Sequence, residues 1–93
     1  MGQHDDEMTE LYAGQAWHIY SVYTKLLRET GSSMDHVLHQ ISYMMDMSKW
    51  GGVYRAAHAA FGGNLPATTV MGADEIGPFP ELQLEIDAVA VQA

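Results

Sequence analysis

Two carboxylates stand two residues apart in an otherwise apolar run, Leu84-Glu85-Ile86-Asp87-Ala88-Val89-Ala90-Val91. Strand periodicity puts Glu85, Asp87, Val89 and Val91 on one face and Leu84, Ile86, Ala88 and Ala90 on the other. A carboxylate fixed on a strand can orient or deprotonate a water that attacks an electrophilic carbon. The same pattern describes an acidic strand face turned to solvent, and Asp87 is read that way. Upstream, the hydroxyls of Thr68 and Thr69 could donate to a ligand carboxylate, or be ordinary β-branched strand residues.

The histidines do not assemble into a metal site. His36 and His39 are three apart, on opposite faces of an extended segment. His18 and His58 fall on separate helices, without an acid at ligand spacing. There are no cysteines, so thiolate catalysis, disulfides and Cys-based metal centres are excluded. The expectation is no metal and no cofactor.

These residues sit in a small chain of 93 residues with a formal net charge of −8. Its only basic residues are Lys25, Arg28, Lys49 and Arg55, too few for a phosphate-binding footprint. Neither nucleic acid nor an anionic membrane is an expected partner. No apolar run is long enough to span a bilayer, and the acidic start lacks the apolar core of a signal peptide. The cytoplasm is the expected compartment. With 47% hydrophobic and 17% charged residues, the chain is globular and poor in charge. A domain this small is marginal alone, so oligomerisation is a natural remedy.

Five elements must position the candidate residues in one domain, residues 1–93, with 1–8 as a flexible acidic lead-in. A helix is expected from Thr9, its N-cap, with Tyr12, Ala16, Ile19, Tyr20, Tyr23, Leu26 and Leu27 forming an apolar stripe. Gly31 should end it. An extended segment follows from His36 to Met47. Strict alternation puts Val37, His39, Ile41, Tyr43 and Met45 on one face and Leu38, Gln40, Ser42 and Met44 on the other. Both faces are substantially apolar, so both should be covered. A second helix begins at Asp46–Ser48, with Trp50, Val53, Tyr54, Ala57, Ala60 and Phe61 at helical spacing and Gly51-Gly52 as a weakness. Segments 67–76 and 82–92 are the last strands, separated by a turn at Gly77-Pro78-Phe79-Pro80. The order helix, strand, helix, strand, strand implies an α+β sheet with helices on one face.

Several short motifs occur together in a familiar order. Gly31-Ser32-Ser33-Met34-Asp35-His36-Val37 resembles a "G-a-s-l-d-d-V" junction, and Tyr43-Met44-Met45-Asp46-Met47 resembles "v-f-l-t-D-l". Leu65-Pro66-Ala67 resembles the start of a "P-A-R" strand, and Leu84-Glu85-Ile86-Asp87-Ala88 resembles the strand that carries a catalytic glutamate. The set is similar to the Rid family (YjgF/YER057c/UK114) of imine and enamine deaminases, over residues 13–92. The resemblance implies a chorismate-mutase-like α+β fold, with two helices on one face of a mixed sheet. It also implies a homotrimer with a small-molecule ligand in an intersubunit cleft.

By that resemblance Glu85 would handle the attacking water, and Thr68, Thr69, Val70 and Tyr54 would line the substrate. The chain departs from the family at three places. Thr68 stands where the family's arginine grips a substrate carboxylate, a contact threonine cannot reproduce. Tyr54 replaces an asparagine of the second helix. The "G-P-Y-S" and "S-G-Q" segments have no counterpart, so the domain is expected to be N-terminally shortened. Two functions remain open: hydrolytic deamination of a small imine or enamine, with a diverged substrate class, or a non-catalytic oligomeric module binding a small metabolite or a protein. The endoribonuclease label sometimes attached to the family fits poorly with the acidic charge.

Overall fold

A computed structural model describes residues 3–78 and 81–92. Two α-helices, α1 (Gln3–Glu29) and α2 (Trp50–Ala60), pack on one face of a sheet of β1 (Val37–Met44), β2 (Ala67–Gly72) and β3 (Leu84–Ala90). The sheet order is β2-β1-β3. β1 runs parallel to β2 and antiparallel to β3. The parallel pair needs a crossover, which α2 supplies. This is the α+β arrangement expected from the element order.

α1 is longer than its sequence signals suggest, beginning at Gln3 instead of Thr9. Its end follows the signals. Gly31 has φ 85°, and the Ser32 N–H donates to the Leu27 carbonyl at 2.7 Å while the Gly31 N–H donates to that of Arg28 at 3.2 Å. This double closure satisfies the last carbonyls and needs a residue tolerant of left-handed backbone. At the other junction, Asp46 accepts from the Ser48 N–H and hydroxyl and caps a 3-10 turn, Met47–Lys49, that leads into α2.

The core lies between the helices and the sheet. Tyr12, Ala16 and Tyr20 of α1 meet Val53, Ala56, Ala57 and Phe61, with Met44, Leu84 and Ile86 below. Tyr20 and Phe61 pack edge to face at 5.4 Å. Small residues let the helices approach. At Gly52 an added Cβ would collide with the Thr9 carbonyl and stand 3.1 Å from its Cγ2. The glycine that looks like a defect in the helical pattern is therefore where the backbones touch. Tyr54 falls off the buried stripe; it is 46% exposed, between Trp50 and His58 on the outside of α2.

Strict alternation fails at the start of β1. A register irregularity between Val37 and His39 turns Val37 inward with Gln40, Ser42 and Met44 and leaves Leu38 55% exposed. The bulge inserts one residue, which exchanges the faces of what precedes it. The expectation for Val37 and Leu38 is corrected accordingly. Of the turn at 77–80, Phe79 and Pro80 lie outside the described residues.

Candidate functional site

β1 is the middle strand, so its outward side chains organise the open face of the sheet. The pairing register sets three rows across that face. Met71, Tyr43 and Glu85 form the first; Thr69, Ile41 and Asp87 the second; Ala67, His39 and Val89 the third. Glu85 is exposed beside half-buried Tyr43. Thr69 lies on the same face, two strands over and one row down, about 12 Å from Glu85 by strand spacing. The imidazole of His39 and the Thr69 hydroxyl approach to 3.4 Å. The face is acidic on β3, apolar along β1, and polar at His39 and Thr69.

The substrate-binding residues expected from the sequence are not brought together within one protomer. Thr68 and Val70 point to the helix side, opposite Gln40 and Ser42. The Thr68 hydroxyl is already committed: it donates to the Pro66 carbonyl at 2.9 Å and accepts from Gln40 Nε2 at 3.1 Å. Val70 packs against the core. Tyr54 is on the far side of α2. Only Thr69 shares a face with Glu85.

Neither arginine is on the sheet. Arg55 is held by Glu10 at 2.7 Å, between the helices, and Arg28 is in the last turn of α1. Among the described residues, no group of three His, Cys, Asp or Glu could hold a metal ion, and no helix is long and apolar enough to cross a membrane.

Two tyrosines matter more than the sequence indicated. Tyr43 is the neighbour of Glu85 across the sheet. Tyr23, on α1, donates its hydroxyl to the Ile86 carbonyl. Burial pushes the Tyr23 phenol up, and the charges of Asp87 and Glu85 push it further, so it remains a protonated donor. A period-two pattern places Tyr43 on its face, but only the β1–β3 register pairs it with Glu85. Nothing local marks Tyr23, because its partner is a backbone carbonyl far along the chain.

A model of the family described as Endoribonuclease L-PSP matches residues 2–92. The chain belongs to that family. It is the YjgF group whose motifs the sequence carries. Among solved structures, the YjgF-family protein NMB1025 from Neisseria meningitidis is 28% identical with a TM-score of 0.81, the match covering 90% of this chain and 70% of that one. Rv2704 from Mycobacterium tuberculosis, of the YjgF/YER057c/UK114 family, is 27% identical with a TM-score of 0.78, covering 84% and 65%. PA3499 from Pseudomonas aeruginosa, a protein of unknown function, is 27% identical with a TM-score of 0.75, covering 81% and 54%. The chain thus spans about half to two thirds of the length of these structures. No curated protein gives a match.

Proposed function

We propose that this Endoribonuclease L-PSP family protein hydrolyses a small, reactive imine or enamine to the carbonyl compound and ammonia, on the open face of its sheet. The observation that carries this reading is Glu85, an exposed carboxylate on a strand of the family type, beside the Tyr43 ring and above an apolar floor. Glu85 takes a proton from water as the oxygen bonds to the imine carbon. The C=N electron pair moves to nitrogen, which takes that proton from Glu85 to give the carbinolamine. Glu85 then accepts the carbinolamine hydroxyl proton and passes it to the nitrogen as the C=O bond forms, the C–N bond breaks and ammonia leaves. Water supplies every atom gained, and no redox partner is needed.

The substrate class follows from charge. A 2-imino acid needs a cation for its carboxylate, and the three rows of the open face around Glu85 carry no lysine or arginine. A neutral imine or enamine suits the acidic, partly apolar face better. The expected assembly is a homotrimer, with the open faces turned toward neighbouring subunits and the ligand in the cleft between them. That assembly would cover the apolar residues of β1, left half-buried in one protomer.

A second reading is a non-catalytic module that binds a neutral metabolite or a protein. The committed hydroxyl of Thr68 favours it, since the position where the family holds its substrate offers no donor here.

One assay separates the readings. 2-Iminopropanoate and a neutral imine are generated enzymatically, and their loss is followed with and without the protein. The expected result is acceleration of the neutral imine, abolished by Glu85→Gln, with the 2-imino acid slower by roughly a thousandfold. Acceleration of neither, with saturable binding of the neutral compound, would leave the binding module as the correct reading.

A further inference from the structure

Each of the five tyrosines carries a hydroxyl that folding must place. Three are spent inside the protein: Tyr12 donates to Gln83 Oε1 at 3.0 Å, Tyr20 to Gln40 Oε1 at 2.7 Å and Tyr23 to the Ile86 carbonyl. Tyr54 is exposed, between Trp50 and His58. Tyr43 differs from all four. Its ring is half-buried on the open face of the sheet, with Met71 on one side and Glu85 on the other. Among the described residues its hydroxyl has no hydrogen-bond partner. A phenylalanine would fill the same space, so the oxygen is the part of the residue that packing does not use.

The register sets that oxygen against the carboxylate. The Met45 N–H donates to the Gln83 carbonyl at 3.0 Å. Two residues further along, Tyr43 and Glu85 are directly opposite each other in the same phase of the antiparallel ladder. Their Cα atoms are therefore about 5.5 Å apart, and both side chains stand off the same face. A tyrosine reaches farther from a sheet than a glutamate. The phenol oxygen thus stands beyond the Glu85 carboxylate and to the β1 side of it.

We infer that Tyr43 is a further catalytic residue of the proposed deamination, its O–H donating a hydrogen bond to the substrate nitrogen; the inference rests on the reading of Glu85 given above. A C=N group lying across the pair has its carbon at the water held by Glu85 and its nitrogen at the phenol. As the water oxygen bonds to carbon, the C=N π pair moves to nitrogen, which then holds two lone pairs. Tyr43 donates to one of them, stabilising the charge as it develops. The other takes the proton from Glu85. Tyr43 keeps its own proton throughout, so the balance of the reaction is unchanged. The same bond orients a substrate that has no carboxylate to be gripped. It also favours imines whose nitrogen carries an accessible lone pair over iminium ions, which have none.

The test follows two substrates with wild type and with Tyr43→Phe: a neutral imine, and an N,N-dialkyl iminium ion of similar shape. For the neutral imine, kcat should fall about a hundredfold in the variant, with KM moved by less than about threefold. For the iminium ion, kcat should move by less than about threefold, and the urea midpoint of the variant should match that of wild type. Equal slowing of the two substrates would reduce Tyr43 to a shaper of the surface and overturn the inference. Unchanged turnover of the neutral imine by the variant would overturn it too, while leaving hydrolysis by Glu85 standing. A wild type that turns over neither substrate would overturn both readings together.

Discussion

The Tyr20 hydroxyl donates a 2.7 Å hydrogen bond to Gln40 Oε1 in the middle of the core, where both side chains are essentially inaccessible. Gln40 Nε2 passes the connection to the Thr68 hydroxyl, which ends it on the Pro66 carbonyl. The chain of bonds joins α1, β1 and β2 through a side chain that would otherwise be a buried, unsatisfied amide. Tyr20→Phe keeps the ring against Phe61 but orphans Gln40 Oε1. The expected loss is about 1–3 kcal/mol in a urea titration. A change of less than about 0.5 kcal/mol would mean that the amide finds another partner.

The same contact predicts a loss of stability in alkali. Burial pushes the Tyr20 phenol up to about 12, with the bond to Gln40 pulling the other way. Between the ordinary value near 10 and this one, the unfolded chain releases the proton and the folded chain keeps it. The contribution is therefore whole below about pH 10 and fades as pH rises toward 12, by roughly 2 kcal/mol. Other tyrosines and lysines titrate in this window, so the measurement is the difference between wild type and Tyr20→Phe. The variant should show the shallower alkaline decline.

The neighbouring glycines of α2 should respond with opposite signs. Gly51 is exposed and an added Cβ meets nothing within 4 Å. Gly51→Ala should stabilise by about 0.5–1 kcal/mol through helix propensity alone. Gly52→Ala should destabilise by about 1–3 kcal/mol, because the methyl lands on the Thr9 carbonyl and pries α1 from α2. Thermal melts of the two variants decide it; a shared sign would show that the helices are not in this contact.

On the open face of the sheet, Val89 is 59% exposed and flanks His39. If that face is turned toward neighbouring subunits, Val89→Asp places a charge in the interface. Light scattering should then give a trimer mass for wild type and a monomer mass for the variant. A wild-type monomer at micromolar concentration would exclude the proposed cleft.

Much of the architecture was legible because it depends on local signals. Gly31 stops α1, Asp46 opens the turn into α2, and the alternation of Leu84–Val91 sorts its residues onto two faces. What escaped was set by distant partners. The bulge that turns Val37 inward depends on pairing with Ala90. Gly52 reads as a weakness until Thr9 is seen beside it. The candidate site was the least legible part. Thr68 and Thr69 are adjacent in the chain and hence on opposite faces, and only the register decides which of them accompanies Glu85.

The central strand has one more consequence, for the way the protein reaches its structure. β1 cannot complete either side with the chain next to it: β2 arrives after a full helix, and β3 follows β2. Leu84 and Ile86, which close the core, come later in synthesis than every other buried member of its cluster. During synthesis the nascent chain therefore carries an amphipathic α1 and an unclosed β1, with apolar faces open to chaperones or to misassembly. A chain ending at Gly77 should give no cooperative urea transition, and refolding of the intact protein should be limited by docking of β3.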